Sequence, residues 1–111
     1  MHEMSIATNI LEIAEREMDG HRHLLSITVE IGELAGVEIE ALKFCFDAIR
    51  ESSNYPELEL YIQKVPGEGE CEQCGKKVGM EELYALCPDC GSLSVRPVKG
   101  RELKVTSIEV E

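Results

Sequence analysis

Two Cys-x-x-Cys pairs, Cys71-Glu72-Gln73-Cys74 and Cys87-Pro88-Asp89-Cys90, stand with 12 residues between them, and a glycine follows each pair. Two residues between thiolates let both sulfurs reach one ion while the backbone turns around it. The glycines permit a left-handed turn that frees backbone N–H groups to bond the sulfurs. Four sulfurs about 2.3 Å from a tetrahedral ion make a closed structural site. Cys71, Cys74, Cys87 and Cys90 are therefore expected to hold Zn2+. A rubredoxin-type iron centre shares this geometry and would be told apart by its colour and metal content. A thioredoxin-like dithiol is disfavoured, because such sites use one pair at a helix start beside a sheet. The segment around the cysteines offers Val78, Met80, Leu83, Tyr84, Leu86 and Leu93 as its apolar residues. That is too little for a core, so the metal must supply much of its folding free energy.

The rest of the chain alternates helix and strand. Ala7, Ile10, Leu11, Ala14 and Met18 recur at helical spacing, with Ser5 as the expected N-cap and Asp19-Gly20 as the stop. Leu25, Ile27, Val29 and Ile31 then alternate with polar residues, the pattern of a strand with one buried face. A second helix is expected over 37–51, with Ala41, Leu42, Cys45, Phe46, Ala48 and Ile49 as its apolar face. Cys45 on that face is expected to be a buried free thiol. A second strand carries Leu58, Leu60 and Ile62, and Pro66-Gly67-Glu68-Gly69 looks like a hinge-like boundary. A last strand holds Leu103, Val105, Ile108 and Val110.

The expected fold is α+β: a three-stranded mixed sheet with two helices on one face, plus an inserted zinc-ribbon-like module. The strand-helix-strand step favours a parallel pair with a right-handed crossover. The second and last strands, flanking the insertion, are expected to pair antiparallel. The domain division is 1–66 with 96–111 as an α/β domain, and 67–95 as the zinc-binding module.

At the N-terminus, Met1-His2-Glu3 carries a separate signal. A histidine in second place should block removal of the initiator methionine. Its imidazole, nearby main-chain nitrogens and the terminal amine can then close small chelate rings around one ion. Deprotonated amides with imidazole suit square-planar Ni2+ or Cu2+ better than Zn2+. Such a site would release metal as the imidazole protonates. Glu3 either adds an oxygen ligand or orients the imidazole; alternatively it is an acid that favours a helix N-terminus. His21 and His23 are expected to be merely exposed.

Charge narrows the partners. The chain has 22 Asp and Glu against 11 Lys and Arg, a net charge of -11. Nucleic-acid binding would call for a clustered basic surface, and the charge is of the wrong sign. The start has no basic n-region or apolar h-region, and no apolar run approaches the roughly 20 residues of a membrane span. A cytoplasmic protein, with reduced thiols, is expected.

Met1-His2-Glu3-Met4-Ser5, Ile31-Gly32-Glu33-Leu34 leading into Val37, and the double knuckle ending Cys87-Pro88-Asp89-Cys90-Gly91 together resemble the HypA/HybF family of hydrogenase nickel-incorporation proteins. The resemblance spans essentially the whole chain. It implies a nickel metallochaperone with a zinc module inserted before the last strand. By that resemblance, Ni2+ is held by His2, through side chain and main chain, and by Glu3, through main chain or carboxylate. Zinc is held by Cys71, Cys74, Cys87 and Cys90. The implied partners are the maturation GTPase HypB and the large subunit of [NiFe] hydrogenase, with urease as a further client in some members. The monomeric or dimeric state stays open. In some relatives a histidine near the zinc module helps to bind nickel, but residues 67–111 here contain none.

The alternative is a zinc-ribbon adaptor or regulator without transferable metal. Lys76, Lys77, Arg96, Lys99, Arg101 and Lys104 gather around the module and would form its basic patch. Catalysis is not expected: there is no Ser-His-Asp set, no phosphate loop and no histidine beside the cysteines.

Overall fold

The computed structural model describes residues 2–111. Its elements run α1 (Glu3–Arg16), β1 (Leu24–Gly32), α2 (Ile39–Glu51), β2 (Glu59–Val65), β3 (Gly67–Cys71), β4 (Lys77–Met80), β5 (Val95–Lys99) and β6 (Leu103–Val110). The α+β class and the two expected helices are present. The chain divides into two compact units. One unit comprises Met1–Glu30, Val37–Gln63 and Lys104–Glu111; the other comprises Ile31–Gly36 and Lys64–Leu103.

In the first unit, α1 buries Ile6, Ala7, Ile10 and Ala14, a stripe at helical spacing. The helix begins earlier than the Ser5 cap predicted. Its N-cap is His2, in an extended conformation and with no side-chain cap bond. The Ile6 N–H donates to the His2 carbonyl at 3.1 Å, closing the first turn. Glu3 in that turn suits the positive helix end, which favours starting at the acid. Asp19 and Gly20, both at positive φ, then reverse the chain. α2 packs against α1 and turns Leu42 and Phe46 inward.

The first sheet has the order β2-β1-β6. Its central strand β1 buries Ile27, Val29 and Ile31. The Glu33 N–H donates to the Val65 carbonyl at 2.9 Å, so β1 and β2 end side by side, as parallel strands do. His23 and Glu111 exchange backbone hydrogen bonds at 3.3 and 2.9 Å, which makes β6 antiparallel to β1. The sheet is thus mixed, but β6 does not pair with β2 as the flanking argument suggested. The crossover through α2 sets β2 on one edge of β1 and leaves the other edge of this most apolar strand for β6.

The second unit holds an antiparallel sheet of order β4-β3-β5, whose strands the sequence pattern does not single out. Gly67 pairs with Met80 and Glu70 with Lys77 on one side; Cys71 pairs with Val95 on the other. The supposed hinge at Gly67-Glu68-Gly69 is therefore the start of β3, and its glycines serve close packing. A Cβ on Gly67 would lie 2.1 Å from the Met80 carbonyl oxygen, and one on Gly69 would lie 2.4 Å from the Met80 sulfur. The small core here combines Leu34, Val78, Met80 and Val95 with Cys71 and Cys87. Leu34 comes from the segment between β1 and α2, which explains why Ile31–Gly36 belongs to this unit.

Candidate metal sites

The two knuckles repeat each other bond for bond. In the first, the Gly75 N–H donates to the Cys71 carbonyl at 2.8 Å and the Cys71 N–H to the Lys76 carbonyl at 2.9 Å. In the second, Gly91 donates to Cys87 and Cys87 to Ser92, both at 2.9 Å. Gly75 and Gly91 take φ of 78° and 74°, the left-handed turn that the sequence required of them. β3 delivers the first knuckle at its end, and Glu72 N–H donates to Ser94 C=O at 2.8 Å, holding it against the run into β5.

This brings all four sulfurs within 4.8 Å of one another. Cys71 and Cys90 approach to 3.5 Å, and Cys74 and Cys87 to 3.6 Å. A tetrahedron with bonds of about 2.3 Å has edges of about 3.8 Å, so the cluster fits a Zn(Cys)4 centre. Cys71 and Cys87 are 1% exposed, whereas Cys74 and Cys90 lie at the surface. One side of the ion would face the module's core and the other the solvent. Lys76 Nζ meets Asp89 Oδ1 at 3.0 Å, an ion pair that links the two knuckles outside the sulfurs.

Charge on the sulfurs supports a cation. Main-chain N–H groups of Cys74 and Gln73, with the neighbouring thiols, pull the Cys71 thiol down to about 6. The Cys90 and Asp89 N–H groups lower Cys87 likewise. At Cys90 the Ser92 N–H favours the thiolate, but the bond to Cys71, burial and the bonds to Cys87 and Cys74 outweigh it and push that thiol up to about 12. Cys74 is also raised: the Lys76 N–H opposes this, and Cys87, burial and Cys71 prevail. Four thiolates this close cannot all ionise together unless a divalent ion offsets their repulsion.

His2 and Glu3 sit at the other signal. His2 is exposed and its main chain caps α1, as described above. The Glu3 carboxylate accepts a hydrogen bond from the Glu38 N–H at 3.2 Å. That bond, with its own backbone N–H, holds the Glu3 carboxyl below the usual range. The sequence reading missed Glu38 because a main-chain donor leaves no mark on residue type. The terminal amine invoked as a chelating group belongs to Met1 and lies outside the described residues. As the first residue of α1, Glu3 has an N–H that the helical ladder does not use. It is outside the helical ladder and bonds the residue's own carboxylate instead.

Among the described residues, the four cysteines are the one group of three or more His, Cys, Asp or Glu donors close enough to share an ion. His21 and His23 lie exposed in the turn before β1, outside any such group. Cys45 is only half-buried, a correction to its expected place in the core, because α2 directs Leu42 and Phe46 inward instead. Its neighbour Phe44 is 76% exposed. No helix among the described residues is long and apolar enough to cross a membrane.

Comparison with known proteins agrees with this geometry. Residues 1–110 match the family described as "Hydrogenase/urease nickel incorporation, metallochaperone, hypA". The chain is 43% identical over 111 residues to the hydrogenase maturation factor HypA of Geobacter metallireducens, covering 100% of both chains. It is 44% identical to the Geobacter sulfurreducens protein of the same name, again over 100% of both. Among solved structures, it resembles the nickel metallochaperone HypA from Helicobacter pylori with a TM-score of 0.61, at 25% identity, covering 99% of this chain and 97% of that one. A second HypA solution structure matches with a TM-score of 0.68 at 25% identity, covering 100% and 97%. A whole-length family match, relatives aligned end to end and a shared fold place this chain in the HypA family of nickel-incorporation metallochaperones.

Proposed function

We propose that this protein is a non-enzymatic carrier that takes up Ni2+ at His2 and Glu3 and passes it on during maturation of [NiFe] hydrogenase, with urease as a further client. The cysteine cluster holds structural zinc in this reading, and it stays loaded while nickel comes and goes. The partners are the maturation GTPase HypB and the hydrogenase large subunit, met in the cytoplasm. The α/β part, 1–66 with 96–111, carries nickel; the 67–95 segment carries zinc.

The observation that carries the nickel assignment is the position of His2 and Glu3 at the start of α1. The imidazole is exposed and the Glu3 N–H is outside the helical ladder, so imidazole and amide nitrogens can converge on an ion without breaking a turn. A helix N-terminus repels a cation. Deprotonated amides overcome this by bringing negative charge to the metal, and each releases a proton on binding. Nickel uptake is then steeply pH-dependent, which suits a site that must also let go. The Glu3 carboxylate is already engaged by Glu38 N–H, which favours the main chain of Glu3, rather than its side chain, as the ligand. The net charge of -11 adds a general attraction for divalent cations.

Visible absorption of the zinc-loaded protein titrated with Ni2+ tests the ligand set. The reading predicts the narrow d–d band of a square-planar nitrogen-rich Ni2+ site, lost in His2→Ala. An octahedral spectrum, or thiolate charge-transfer bands from the cysteines, would overturn it.

A further inference from the structure

The second unit contains a cavity of about 590 Å³ beside the end of β4, and it is acidic. Glu33, Glu81 and Glu82 line it, together with Pro66, Met80 and Tyr84, and no Lys, Arg or His side chain does. None of these three carboxylates takes part in the ion pairs formed among the described residues. Tyr84 is 91% exposed, and Leu83 and Leu86 beside it are exposed as well. An exposed tyrosine on the wall of an acidic cavity, with exposed leucines next to it in sequence, is unfavourable to the free protein. The module's own core is built from other residues and does not need it.

A divalent ion does not suit the carboxylates, since these three do not form a cluster close enough to share one. A chain with spaced positive charges suits them better. β4 is an outer strand in the order β4-β3-β5, so one edge of its backbone has no strand partner among the described residues. A Cβ on Gly79, which lines the cavity on that strand, would meet nothing within 4 Å, so the approach is open. An extended peptide can add to such an edge through main-chain bonds while its alternate side chains enter the cavity. Arginine fits this cavity in particular: its guanidinium forms paired bonds to carboxylates and stacks on a tyrosine ring.

We propose that this cavity docks an arginine-bearing, apolar-flanked extended segment of a partner protein, with Glu33, Glu81 and Glu82 receiving the guanidinium groups and Tyr84 stacking on one of them. The proposal uses neither His2 nor Glu3 and does not rest on nickel binding by them.

The test uses the zinc-loaded full chain and a fluorescein-labelled synthetic peptide of alternating arginine and leucine, titrated by anisotropy at about 0.15 M salt, where diffuse attraction is screened beyond roughly 8 Å. Binding should weaken at least about tenfold in the Glu81→Gln/Glu82→Gln variant and severalfold in Tyr84→Ala. It should stay within about twofold of wild type in Glu17→Gln/Glu57→Gln, which removes the same charge elsewhere. Zinc content and circular dichroism confirm that each variant is folded, and His2→Ala should bind the peptide normally. Equal weakening in both double variants would show non-specific attraction and overturn the proposal. So would the absence of binding to the wild type, or self-association that Glu81→Gln/Glu82→Gln abolishes, which would make a second copy the occupant.

Discussion

The Glu3 carboxylate accepts a hydrogen bond from the main-chain N–H of Glu38 at 3.2 Å, joining the first turn of α1 to the residue that caps α2. Within a capping box, a Glu or Gln at the third helical position bonds back to the N-cap N–H. α2 has Ala41 at that position, so Glu3 supplies the bond from the neighbouring helix.

The bond holds the Glu3 carboxyl below its ordinary value of 4.5, chiefly through the Glu38 N–H. A depressed carboxyl contributes stability that is complete above the unfolded value and is lost as pH falls through the folded one. Glu3→Gln should therefore have a lower Tm than wild type at neutral pH, and the gap should close as pH drops below about 4.5. Thermal melts followed at 222 nm across that range check this; a gap that persists in acid would assign Glu3 a purely steric role.

Metal removal should affect the two units unequally. The core around the knuckles has four apolar residues besides its two cysteines, so it depends on the ion. Replacing Cys71 or Cys87 by Ser, or stripping zinc with a strong chelator, should abolish protection of the β3–β5 amides in hydrogen exchange. The helical signal of α1 and α2 should remain, because their stripes of Ile6, Ile10, Leu42 and Phe46 are buried without the metal. Elemental analysis of the untreated protein should give one zinc per chain; stoichiometric iron with a red colour would overturn the zinc assignment.

Close backbone packing makes three glycines intolerant. A Cβ on Gly32 would lie 1.9 Å from the Gly100 carbonyl oxygen, and one on Gly100 would lie 2.6 Å from the Gly67 Cα. These contacts are with backbone, which cannot rotate away. Gly32→Ala and Gly67→Ala should each destabilise the second unit by about 1–3 kcal/mol, read as a lower denaturation midpoint. Gly79→Ala, where a Cβ meets nothing within 4 Å, is the control and should change it little.

The four-cysteine cluster was fully legible because its information is local. Residue type, spacing and the following glycine specify a knuckle, and Gly75 and Gly91 adopt the turn that this logic requires. The helices were legible from their buried stripes, but their starts were not. Ser5 is a good cap by type, yet the chain begins α1 at Glu3, where the acid meets the positive helix end. Composition misread Gly67 and Gly69 as a hinge because a glycine looks the same whether it supplies freedom or allows close approach. Leu34 could not be assigned to the cysteine module from sequence, since its partners Val78, Met80 and Val95 lie more than 40 positions away. Strand order failed for a similar reason: adjacency to β1 or β2 is decided by which edge is left open, not by any residue in β6.

The central claim, that nickel is carried at the start of α1, is tested most directly by calorimetric titration of Ni2+ into the untagged, zinc-loaded protein and its His2→Ala variant. The account predicts one nickel per chain for the wild type, and for the variant an affinity weaker by roughly a hundredfold or more, with zinc content unchanged. An unchanged nickel affinity in a folded, zinc-replete His2→Ala protein would contradict it.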